Sequence, residues 1–193
     1  MAACVLVLLG TGILPALGLK FDWVPLHWIS GLVLVAAMLL HLVRVAWRRS
    51  FAQMLPTQRD LAELRAALGA APVKPGKYSV AQKAMHHMVA LLSLAAAVTG
   101  LLMMVKIDTP WWRRNPYWLE AATWGGIYVV HGLAALCFIS VAMLHIYFAL
   151  RPEKRCYLRA IARGWMTRDE YRVRHDAALW TPEPASGPAE GHR

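Results

Sequence analysis

His131 and His145 stand fourteen residues apart inside one apolar run, Trp124 to Leu150, and His27 and His41 repeat that spacing inside another. An α-helix turns about 100° and rises about 1.5 Å per residue, so the members of each pair point within about 40° of one direction, roughly 21 Å apart along the axis. Ionisable side chains are costly in hydrocarbon and face a protein interior, where they bind something or find a partner. Two helices carrying matched histidine pairs can grip two flat, apolar, iron-bearing rings, one near each membrane surface. Iron with imidazole on both axial positions has no open site for oxygen or substrate, which leaves electron transfer as its natural task.

The elements that must position these histidines are visible in the composition. The chain has 193 residues, 58% hydrophobic and only 17% charged, with nine Trp and a positive mean hydropathy. Four segments, about 2–19, 24–47, 83–105 and 124–150, approach or exceed the roughly 20 apolar residues that cross a bilayer. The expectation is an all-α membrane protein, a four-transmembrane-helix up-down bundle with cytoplasmic surface helices, forming one domain over residues 1–180. The net charge of +10 sits just outside the spans. Arg44, Arg48, Arg49, Arg59, Arg65, Lys74, Lys77 and Lys83 follow the second span, and Arg151, Lys154, Arg155, Arg159 and Arg163 follow the fourth. The positive-inside rule then puts both termini and the middle loop in the cytoplasm of a bacterial inner membrane, so the basic pI reports topology and not a nucleic-acid partner. Cys4, Cys137 and Cys156 lack the paired spacing of a zinc or redox motif and read as structural.

The first span is apolar from its second residue, without the basic flank of a secretory signal. It is short for a span and has no anchoring Lys or Arg, as expected if the true start lies upstream. Gly10, Gly12, Pro15 and Gly18 predict a helix that loosens towards its outer end. Pro25 opens the second span, Trp23 and Trp28 form an interfacial belt around His27, and Gly31 would let a bulky ring lie close. Taken alone, His27 could be a wetted belt histidine and His41, near Arg44, an interfacial one; the matching pair in the fourth span is what argues for ligation. Thr57-Gln58-Arg59-Asp60 reads as the cap of an amphipathic helix over 57–69, and Ala71-Pro72-Val73-Lys74-Pro75-Gly76 as its break. His86 and His87 point about 100° apart, so at most one can face a ring, and they read as interfacial or quinone-site residues. Thr99-Gly100 and Met103-Met104 read as packing. The outer loop Lys106 to Glu120, with Trp111, Trp112, Tyr117 and Trp118, is a membrane belt where a partner could dock. Basic surface helices are expected over about 152–176, with Thr167-Arg168-Asp169-Glu170 a second capping box, and a disordered tail over 181–193.

Gly76-Lys77-Tyr78-Ser79-Val80-Ala81-Gln82-Lys83, Thr99-Gly100, His131-Gly132, His145-Ile146-Tyr147 and Gly164-Trp165-Met166-Thr167 together resemble the cytochrome b (gamma) subunit of membrane-bound formate dehydrogenases. The allied diheme cytochromes b of hydrogenases and thiosulfate reductases are similar. The resemblance covers nearly the whole chain and implies two haems b, a quinone, and partners that are the iron–sulfur and catalytic subunits of a periplasm-facing oxidoreductase. It implies that His27 and His131 ligate the haem nearer the periplasm, and that His145 ligates the one nearer the cytoplasm, beside the quinone. Lys77, Tyr78, Ser79, Gln82 and His86 are the quinone-site candidates.

Three departures from that pattern matter. The family's fourth ligand, counted back from Thr11-Gly12, would fall about two residues before Met1; Ser79 stands where the formate enzymes place asparagine; and His41 is absent from the pattern. Two accounts of the last ligand stand side by side: His41 level with His145 through equal fourteen-residue offsets, or a histidine upstream of Met1, which would also lengthen the first span. Two other function classes use the same residues. One is a haemless transporter with intramembrane histidines as proton relays, and the other is a membrane anchor for a partner enzyme.

Overall fold

The structure, a computed structural model, describes residues 1–48, 50–69 and 74–181. Regular structure among them is helical throughout: α1 (Ala2–Ala16), α2 (Trp23–Trp47), α3 (Gln58–Gly69), α4 (Val80–Met103), α5 (Ala121–Leu150), α6 (Arg155–Arg163) and α7 (Arg168–Arg174), with short 3-10 turns between. Arg49, the expected break at Ala71-Pro72-Val73 and the expected tail from residue 182 onward lie outside the described residues.

Three of these helices are long and apolar enough to cross a membrane: α2, α4 continued by a 3-10 turn to Lys106, and α5. Their bounds lie within three residues of those expected. α1 is apolar but has 15 residues, about 22 Å of helix against roughly 30 Å of hydrocarbon. Its end is set by a Schellman cap: Gly18 takes φ 90° and donates to Pro15 O at 3.0 Å, while Leu19 donates to Leu14 O at 3.1 Å.

The chain divides into two compact units. The first comprises residues 1–52 and 84–151, where α1 packs along α2. Leu8 of α1 lies over Gly31, 3.9 Å from where a Cβ would stand, so the small residue there lets the neighbouring helix come close. Large apolar side chains such as Leu6, Leu40, Leu91 and Leu136 are exposed, as befits faces turned to lipid. Thr11, Thr99, Met104, Trp124 and Ala134 are buried. The loop between α4 and α5 is ordered by its aromatics. Trp112 Nε1 donates to Met104 O at 3.2 Å, Trp124 Nε1 donates to Pro116 O at 3.0 Å, and Trp111 meets Trp28 edge-on with ring centres 5.9 Å apart. Lys106 lies 5.0 Å from the ring centres of both Trp124 and Tyr128.

The second unit comprises residues 53–83 and 152–193, described to Thr181. Asp60 works as the cap of α3 from inside the helix: its carboxylate accepts the Thr57 N–H at 2.6 Å and the Thr57 hydroxyl at 2.8 Å. The same carboxylate pairs with Lys83 at 2.9 Å, at a site where Asp60 is only 8% exposed. Burial pushes that carboxyl up, but the Lys83 ammonium and the two Thr57 donors outweigh it and hold Asp60 below the usual carboxylate range. The expected box at Thr167 forms in full, Glu170 reaching back to the Thr167 N–H and accepting from Arg159. Residues 74–76 are clasped by the segment after α7: Lys74 donates to Arg172 O at 2.7 Å, Asp176 N donates to Pro75 O at 3.0 Å, and His175 Nδ1 meets Gly76 O at 2.7 Å. His175 is 4% exposed, stacked on Tyr171 and edge-on to Trp180.

Candidate functional site

Within the first unit, α2 and α5 bring His27 and His131 together, with ring centres 6.1 Å apart and planes at 68°. Two imidazole nitrogens each about 2 Å from one metal atom, with ring centres about 1.2 Å behind them, would stand about 6.4 Å apart. The observed separation is small enough for both rings to reach a single metal. Each ring is gripped from behind by the neighbouring helix. Thr11 Oγ1 on α1 lies 2.8 Å from His27 Nδ1, and Thr99 Oγ1 on α4 lies 2.8 Å from His131 Nδ1. Thr99 thus packs against His131 through a hydrogen bond.

Both threonines precede a glycine, and each glycine faces the same ring. A Cβ at Gly12 would stand 3.8 Å from His27 Cε1, and one at Gly100 would stand 3.3 Å from His131 Cε1. The two halves of the unit thus repeat one device, a buried Thr-Gly on one helix against a histidine on the next. Threonine at these positions satisfies itself on its own helix, Thr11 donating to Val7 O at 2.7 Å and Thr99 to Ala95 O at 2.6 Å. That self-sufficiency is why a sequence pattern gives no sign of the histidine partner.

The remaining expected residues are placed differently. His145 is exposed on α5 and makes no hydrogen bond among the described residues. His41 is exposed on α2. His86 and His87 meet edge-on, ring centres 5.6 Å apart at 90°. Of the quinone candidates, Lys77, Tyr78, Ser79 and Gln82 belong to the second unit and His86 to the first. Ser79 and Gln82 form a capping box at the start of α4: Ser79 N donates to Gln82 Oε1 at 2.8 Å and Gln82 N donates to Ser79 Oγ at 3.3 Å. Lys77 donates to Gln53 Oε1 at 3.1 Å and lies 5.5 Å from the Tyr78 ring centre.

Among the described residues no group of three or more His, Cys, Asp or Glu could by itself hold a metal ion. Two facing imidazoles fit a metal whose other ligands arrive with it, as the four equatorial nitrogens of a haem do. The donor set at His27 and His131 fits haem iron, which the two imidazoles would hold.

A search of curated proteins finds no match. The family model for prokaryotic cytochrome b561 matches residues 1–163, which contain α1 to α6, both Thr–His pairs, His41, His86 and His145. The family comprises membrane proteins that bind haem b and serve electron transfer. With its apolar helices and its paired histidines inside the matched stretch, this chain belongs to the prokaryotic cytochrome b561 family.

Proposed function

We propose that the protein is the haem b subunit of a respiratory complex, passing electrons between an oxidoreductase on the periplasmic face of the inner membrane and the quinone pool. The gamma subunit of formate dehydrogenases, which the sequence resembles, is an analogy for that task. The observation that carries the reading is the pair His27 and His131, 6.1 Å apart and each backed by a threonine. A haem supplies a carrier that takes and gives one electron at a time without an open coordination site when two histidines hold it. His27 and His131 would hold the periplasmic-side haem. His145 would hold the cytoplasmic-side haem, with His41 brought level by the equal fourteen-residue offset.

In this reading all four apolar helices span, α1 drawing on the capped residues after it for the missing length. The basic segments after α2 and α5 keep both termini in the cytoplasm. The aromatic loop at 106–120 is the docking face for iron–sulfur and catalytic subunits. At the other end, a quinone carbonyl needs a donor of a proton or hydrogen bond. In the cap Ser79 and Gln82 accept through their oxygens, so the Ser79 hydroxyl and the Gln82 amide NH2 stay free to donate, and Lys77, Tyr78, Ser79, Gln82 and His86 are all candidates for that role.

The membrane-inserted protein, purified and reduced, should show the sharp α-band of bis-imidazole haem b. His131→Ala should then lose one haem while the protein remains inserted, and His41→Ala should lose the other. Absence of haem from the wild type would overturn the proposal in favour of a proton relay or an anchor. An unchanged haem-to-protein ratio in His131→Ala would remove that ligand, and the same outcome in His41→Ala would remove the His41 pairing.

A further inference from the structure

We infer that Thr11 and Thr99 are positioning residues that fix the tautomer of His27 and His131 and lower the reduction potential of the iron between them. The inference rests on the proposed ligation and adds to it a role for two hydroxyls that no comparison assigns. Each hydroxyl has one proton, and the geometry commits it. Thr11 Oγ1 lies 2.7 Å from Val7 O and 3.2 Å from Leu8 O; Thr99 Oγ1 lies 2.6 Å from Ala95 O and 3.2 Å from Ala96 O. A carbonyl can only accept, so the threonine proton goes to its own helix. The oxygen lone pair is then what faces Nδ1 at 2.8 Å, and the imidazole must be the donor.

Each ring is thereby held with its proton on Nδ1 and its basic lone pair on Nε2, the nitrogen left to bind a metal. An acceptor behind Nδ1–H also raises the basicity of Nε2, and a more basic ligand favours the ferric over the ferrous state. Both threonines are buried, 6% and 7% exposed, so neither water nor lipid competes for the contact. Because α1 and α4 supply the same residue, both axial ligands are adjusted in one direction. His145, with no hydrogen bond among the described residues, has no such acceptor.

The test is potentiometric titration of the full chain in detergent, wild type against Thr99→Val, Thr99→Ser and Thr11→Val. Valine keeps the shape and removes the hydroxyl acceptor; at His131 the Ala96 carbonyl remains beside the ring, so Thr11→Val is the cleaner variant. Each valine variant should raise the midpoint potential of one haem by up to about 59 mV, a tenfold loss of ferric preference for a one-electron couple. The potential of the haem at His145 should stay where it is. Thr99→Ser, able to make the same two bonds, should titrate like wild type. Full haem content with unmoved potentials in both valine variants would overturn the inference. If Thr99→Val fails to assemble, Thr11→Val decides alone, being the same change on the opposite ligand. Failure of the ligation reading is separate and visible: His131→Ala would then keep its haem and its spectrum.

Discussion

Gly100 and Gly12 occupy equivalent positions after their threonines, yet the structure predicts opposite outcomes for the same substitution. Replacing a helical glycine by alanine gains about 1 kcal/mol from the reduced freedom of the unfolded chain. At Gly12 the new methyl would sit 3.8 Å from His27 Cε1, an ordinary contact, so that gain should survive. At Gly100 it would sit 3.3 Å from His131 Cε1 and 3.9 Å from Nδ1, close enough that the ring must yield by a few tenths of an ångström. The ring has little freedom to do so, because Thr99, the adjacent residue, holds Nδ1 at 2.8 Å. Forcing a methyl into such a site costs about 1–3 kcal/mol. Since helix propensity enters both variants equally, Gly12→Ala should exceed Gly100→Ala in stability by about that 1–3 kcal/mol. Denaturant titration in mixed micelles measures the difference, and haem content follows the displaced ring, with Gly100→Ala losing haem first. Equal stability of the two variants, or greater stability of Gly100→Ala, would refute the geometry at His131.

Two further expectations concern the second unit and the topology. Lys83→Met leaves the nearly buried Asp60 carboxylate with only its two Thr57 donors and should cost about 3 kcal/mol at neutral pH, seen as faster proteolysis of residues 53–83. Because the folded state depresses the Asp60 pKa, the stabilisation is complete above the unfolded value near pH 4 and is lost as pH falls through the folded one. Asp60→Asn should therefore flatten this part of the acid profile, and an unchanged profile would remove Asp60 from the account. A reporter fused after Arg193 should be cytoplasmic and one inserted in Trp111 to Tyr117 periplasmic; the reverse would overturn the charge argument.

The sequence by itself determined what depends on local pattern. The length of apolar runs dictated α2, α4 and α5, because hydrocarbon demands a continuous helix of that length. Thr167 and Glu170 announced their capping box, since both partners lie within one turn. The histidine spacing singled out His27 and His131 as candidates because helical periodicity puts position into register with direction. What the tertiary structure decided depends on which helix lies beside which. That Thr11 backs His27 and Thr99 backs His131, across separations of 16 and 32 residues, leaves no trace in periodicity, because each hydroxyl is already satisfied by its own helix. The clasp of His175 on Gly76 across 99 residues is equally non-local. Even the tightness at Gly100, absent at Gly12, is a matter of a few tenths of an ångström between two helices. Composition and spacing place a histidine on a face; only the packing of one helix on another supplies the acceptor behind it.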